Sequence, residues 1–153
     1  MTDRYLEDLR VGEKTRSARI TVTEEEILEF ARRFDPQPMH TDPEAAARGP
    51  FKGLIASGWH TAALVMRLVA DARPLGNLPI LGIGVDSLEW PQPVRPGDTL
   101  EVEMEILSIR PSKSKPTHGI VKIRSTARNQ RGEVVYVVTP SCWVPRRPPE
   151  RSY

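Results

Sequence analysis

Residues 34–43 read Phe34-Asp35-Pro36-Gln37-Pro38-Met39-His40-Thr41-Asp42-Pro43, a carboxylate and an imidazole five positions apart on a backbone stiffened by proline. Pro36, Pro38 and Pro43 fix their own φ and push the preceding residues toward extended conformations. Holding Asp35 and His40 at a set separation lets the pair grip one small molecule between an acid and a base, most simply a water, and share its proton transfers. The plainer alternative is that Asp35 caps a turn, the prolines punctuate a loop and His40 is solvated.

The elements that must hold this segment can be read from period and punctuation. Thr23-Glu24-Glu25-Glu26 predicts a capping box, and Ile27, Phe30, Ala31 and Phe34 recur at helical spacing behind it. Pro36 ends that helix and leaves Asp35 at its exit. Asp42-Pro43-Glu44 predicts a second, short helix with Asp42 as N-cap, running to Gly49-Pro50. Ser57-Gly58-Trp59-His60-Thr61 opens a third helix through Ala70, apolar on most sides and so expected to be largely enclosed.

From residue 80 the period changes to two. Residues 80–90 predict a strand whose glycines admit close neighbours, and Val94-Arg95-Pro96-Gly97-Asp98 a turn. Residues 99–106 alternate apolar and polar, as do 119–128, and Asn129-Gln130-Arg131-Gly132-Glu133 turns into Val134–Val138. The expectation is an α+β fold: one domain over residues 1–145, a twisted antiparallel sheet wrapped around a long central helix. Residues 146–153 form a Pro/Arg-rich tail with no apolar period, expected to fray.

Composition excludes several classes. A net charge of +2, spread evenly, does not suit a nucleic-acid binder. One cysteine, Cys142 beside Trp143, rules out an internal disulfide framework and a cysteine-based metal site. Asp35, His40, Asp42 and His60 lack any recognised ligand spacing, so no metal is expected. The N-terminus has no apolar h-region and no stretch is long enough for a membrane span, so a cytoplasmic protein is expected.

Asp35-Pro36-Gln37-Pro38-Met39-His40 followed by Ala56-Ser57-Gly58-Trp59, in this order of elements, resembles the MaoC-like dehydratases, which include the (R)-specific enoyl-CoA hydratases and have the hot-dog fold. The likeness runs from about Leu9 to Trp143. Two places depart from the hydratase pattern: Phe34 and Gln37 stand where Gly and Asn are usual, and Ser57 precedes Gly58 where His is usual. The resemblance implies a hydro-lyase that adds or removes water across the α,β double bond of an enoyl thioester, with Asp35 and His40 as the catalytic pair.

Such a reaction also needs a stabiliser for the enolate oxygen, and the Gly58 N–H, at a helix start, is the candidate. Gln37, Ser57 and Trp59 are candidates for substrate contact, and Lys113 and Lys115, in the densest basic stretch, for the phosphates of coenzyme A. Coenzyme A would enter as part of the substrate, with no separate cofactor. The resemblance further implies a homodimer or higher homo-oligomer whose sheets join edge to edge. Two rivals stand beside this reading. A hot-dog thioesterase needs a carboxylate on or beside the central helix, and residues 58–70 contain none. A catalytically silent acyl-thioester-binding subunit has no use for the Asp35/His40 pair.

Overall fold

The computed structural model describes residues 2–152. A short 3-10 turn, Leu6–Asp8, leads into two brief strands, β1 (Lys14–Arg16) and β2 (Ile20–Thr21). Helices α1 (Glu24–Phe34), α2 (Pro38–Thr41), α3 (Pro43–Arg48) and α4 (Gly58–Ala72) follow, then strands β3 (Leu81–Glu89), β4 (Thr99–Pro111), β5 (His118–Arg128) and β6 (Val134–Pro145). The sheet order is β1-β4-β5-β6-β3, with β2 pairing β4 beyond β1, and every pairing is antiparallel. This is the expected α+β hot-dog arrangement.

The core lies between the concave face of the sheet and the helices. Val102, Met104 and Ile106 of β4, Val121 and Ile123 of β5, and Cys142 and Val144 of β6 alternate inward as period two requires, and Val135 is buried beside a register shift in β6. Ile27 and Ala31 of α1 and Val65 and Leu68 of α4 close over them. The Thr23 hydroxyl accepts the Glu26 N–H at 3.2 Å, and the Asp42 carboxylate accepts from Glu44 and Ala45, both at 3.1 Å. Of the predicted capping box only the Thr23 half forms.

Three features differ from the sequence reading. The proline segment contains a one-turn helix, α2, because Pro38 sits at its first position, where the fixed φ suits a helix and the missing N–H costs nothing. The three residues before prolines are nonetheless out of the helical region, with ψ of 71° at Asp35, 144° at Gln37 and 98° at Asp42.

The tail is tied down at its start. Arg147 donates to both Asp8 carboxylate oxygens at 2.6 and 2.7 Å, and Arg146 to Glu7 at 3.2 Å.

The third difference is that α4 is enclosed on one flank only. His60, Thr61, Val65 and Leu68 are buried, whereas Trp59, Ala63, Met66 and Ala70, also at helical spacing, are exposed. Among the described residues strand β3 pairs only with β6, with Leu81, Ile83 and Val85 exposed and open space where Cβ atoms at Gly82 and Gly84 would lie. Among the described residues nothing covers that flank of the helix or lies within 4 Å of where those Cβ atoms would be.

Candidate functional site

Asp35 is the C-cap of α1, and its backbone N–H still reaches back to Ala31. Its side chain turns toward the start of α4, where the buried Ser57 hydroxyl donates to Oδ2 at 2.7 Å. The Gln37 amide donates to Oδ1 at 2.7 Å. These two donors, Ser57 foremost and Gln37 next, hold the Asp35 carboxyl below its ordinary range, against a smaller opposing effect of burial. Asp35 is thus a fixed, ionised acceptor.

His40 lies on α2 and is buried. Its Nδ1 stands 2.7 Å from the carbonyl oxygen of Ile55. A carbonyl can only accept, so Nδ1 carries the proton and in the neutral ring Nε2 presents its lone pair. That Nε2 is 3.4 Å from Asp35 Oδ2. Two acceptors this close repel unless something donates to both, and a water with two O–H groups does so. Protonation of the ring is the other way to fill the gap.

The site is floored by the first turn of α4. Ser57 occupies the N-cap position but makes no capping bond, since its hydroxyl serves Asp35. Gly58 follows at the first helical position, where its N–H has no intrahelical partner and sits at the positive end of the helix dipole. Its Cα is close against Trp90: a Cβ there would lie 2.8 Å from the indole. The Trp90 Nε1–H donates to the Gly58 carbonyl at 2.9 Å, and Trp59 meets Trp90 edge to face with centroids 5.2 Å apart. Trp59 is 61% exposed, so it is a wall rather than core.

Asp35, Gln37, His40, Gly58, Trp59 and Trp90 share the lining of one cavity of about 480 Å³. Spacing alone gave no sign of Trp90, which reaches the site from the loop after β3. Ser57, an expected substrate contact, has its hydroxyl on Asp35. Lys113 and Lys115 are elsewhere: they sit at the β4–β5 hairpin tip, where Lys115 Nζ lies 4.6 Å from the Trp143 ring centroid. Trp143 pairs with Leu81, the opposite end of β3 from Glu89, roughly 25 Å away at strand rise.

His60 faces away from this cavity. Its ring stacks on Phe30 at 4.8 Å, and its buried Nδ1 has no hydrogen-bond partner among the described residues. Burial lowers its pKa from the ordinary value, with Glu26 opposing.

Residues 8–129 match the family described as the MaoC like domain. A crystal structure of a MaoC-like dehydratase from Rhodospirillum rubrum superposes with a TM-score of 0.85 at 51% identity, covering 94% of this chain and 98% of that one. The 3-hydroxybutyryl-CoA dehydratase of Methylorubrum extorquens is 30% identical over 72% of this chain and 69% of its own length. YdeM of Bacillus subtilis is 31% identical over 86% and 92% respectively. The chain belongs to the MaoC-like dehydratase family and is a hydratase or dehydratase with the hot-dog fold. Among the described residues no helix is long and apolar enough to cross a membrane.

Proposed function

We propose that this chain is a hydro-lyase acting reversibly on an enoyl thioester of coenzyme A, giving or consuming a 3-hydroxyacyl thioester, with Asp35, His40 and Gly58 as its catalytic groups. The observation that carries the reading is the facing pair of acceptors, Asp35 Oδ2 and His40 Nε2, 3.4 Å apart in a cavity floored by a helix start.

A water donating to both acceptors has its oxygen lone pairs free for the β-carbon. The Ser57 and Gln37 bonds reduce the basicity of Asp35, so His40 Nε2 is the better proton acceptor. As the water oxygen bonds to Cβ, one of its protons passes to Nε2. The π electrons move to the thioester oxygen, which accepts from the Gly58 N–H. Re-formation of the carbonyl moves that electron pair to Cα, which takes the proton back from Nε2. All atoms added to the substrate come from one water, and neither metal nor redox cofactor enters. Gln37 and Trp59 border the bound acyl thioester.

The same proposal includes a homodimer. The exposed stripe of α4, the half-paired β3 and an apolar cavity of about 860 Å³ between them support it, since an unpaired apolar edge is otherwise a liability. Edge-to-edge pairing of β3 would cover all three.

The test is loss of enoyl absorbance on crotonyl-CoA and on longer and branched enoyl-CoAs, for the wild type beside Asp35→Asn and His40→Ala. Turnover that collapses by about a hundredfold or more in both variants is expected, the usual scale for a positioned acid–base group. Folded wild-type protein that turns over none of the panel would sink the hydro-lyase reading.

A further inference from the structure

Beside the cavity lie two cationic residues, Lys52 and Arg95, that form no ion pair among the described residues. Residues 49–53 form a strap between α3 and the segment leading to Ser57. Gly49 and Gly53 both donate their N–H to the Ala46 carbonyl at 3.1 Å, and Lys52 donates to Gly49 at 3.2 Å. The strap is pinned from outside by Arg95, whose Nη2 donates to the Phe51 carbonyl at 2.6 Å. Gly53 holds φ +147°, a backbone conformation that side-chain-bearing residues rarely adopt, with Arg95 Nη1 at ordinary contact distance from where a Cβ would lie, 3.5 Å. Lys52 itself is held at φ 59°, unusual for a residue with a side chain.

Phe51 lines the cavity and its carbonyl holds the Arg95 guanidinium, which places that cation beside the cavity, and Lys52 is the next residue of the same strap. Neither forms an ion pair among the described residues, and the nearby Asp98 spends one oxygen on the Arg95 backbone N–H and the other on Gln130. One of the five guanidinium N–H donors of Arg95 is used on Phe51. The strap thus fixes a guanidinium with donors to spare, and carries the exposed Lys52 one residue after the carbonyl that holds it.

We propose that Lys52 and Arg95 bind the phosphate of a phosphopantetheinyl arm, the group that coenzyme A thioesters and carrier-protein thioesters share. This rests on the acyl-thioester reading above. The cations flank the cavity rather than line it, so the anion they hold is away from the reacting carbons. Phe51 is four residues from Ile55, the partner of His40, and so up to about 14 Å from it along an extended chain. Phe51, exposed at the lip, gives the arm an apolar edge to cross.

The variants are Arg95→Gln and Lys52→Asn, the second chosen because asparagine tolerates a left-handed φ and leaves the Arg95–Phe51 bond intact. Binding of coenzyme A is measured by calorimetry, and turnover with crotonyl thioesters of coenzyme A, 4′-phosphopantetheine, acyl carrier protein and N-acetylcysteamine, the last lacking any phosphate. Each substitution should weaken coenzyme A binding and raise KM for the three phosphorylated substrates about tenfold, the scale of one charge-assisted contact. The kcat should stay within about twofold, and kcat/KM on the N-acetylcysteamine thioester should not change.

Equal losses on the phosphate-free substrate would mean a structural role and overturn the proposal. A loss confined to crotonyl-CoA would move the contact to the nucleotide end and overturn the pantetheine assignment, and no wild-type affinity for coenzyme A would overturn the site. Tight coenzyme A binding that weakens in both variants, with no turnover by the wild type, would uphold the rim while refuting the hydro-lyase.

Discussion

Ser57→Ala isolates what the second partner of Asp35 contributes. The Ser57 hydroxyl is fully buried and donates to Oδ2, the carboxylate oxygen that faces His40, at 2.7 Å. Alanine removes that donor, leaves Gln37 on Oδ1, and adds no bulk. A hydrogen bond to a charged group contributes about 1.5–3 kcal/mol. If that stabilisation serves to hold the carboxylate in its working position, kcat/KM should fall roughly tenfold to a hundredfold.

The sign of the pH effect follows from the same bond. Ser57 favours the ionised form and is the largest cause of the lowered Asp35 pKa, so its loss raises that pKa toward the ordinary carboxylate value. The acid limb of kcat/KM should therefore move to higher pH in Ser57→Ala. The assay is hydration of crotonyl-CoA followed by enoyl absorbance across the acid range, with melting temperature as a fold control. A rate loss with an unmoved acid limb would refute the assignment of Ser57 as the group that keeps Asp35 ionised.

Three more outcomes are expected. Gly58→Ala puts a methyl 2.8 Å from the Trp90 indole, so the ring must shift; overpacking of this kind costs about 1–3 kcal/mol, read by denaturant unfolding, together with at least a tenfold loss of kcat. His60 has a folded-state pKa depressed by burial from 6.5, so the unfolded state takes up the proton first and stability falls as pH drops below about 6.5. His60→Leu should flatten that part of the stability–pH curve, and an unchanged slope would count against the assignment. Ile27→Ala, at a fully buried position of α1, should lower stability by about 2–5 kcal/mol and reduce activity only where it unfolds the protein.

Much of the frame was legible because local chemistry decides it. Thr23 and Asp42 cap as their types and positions predict, Pro36 stops α1 with Asp35 at its exit, and strict alternation marks the middle of β4 and β5. The ends of the long strands were not legible, since β4 runs on to Pro111 and β6 through Pro140 to Pro145 where alternation lapses. Those extensions are fixed by pairing, which no single strand encodes. The same limit applies at the site. Asp35 and His40 announce themselves by spacing, whereas the Ser57 bond to Asp35 spans 22 positions and the Trp90 contact with Gly58 spans 32. The helical pattern of α4 showed an apolar surface on most sides but could not say that part of it is left open by its own chain.

The contacts of Arg146 and Arg147 with Glu7 and Asp8 bring sequence positions 139 and 140 apart into touch, so the polypeptide is in effect a loop with a non-covalent clasp. A closed loop can be cut and rejoined. A short linker across the clasp, with new ends opened at the Ser112–Thr117 hairpin tip, would keep every strand pairing while letting β5 and β6 leave the ribosome before the Asp35/His40 segment instead of after it. The architecture thus separates the geometry of the site from the direction in which its chain is written.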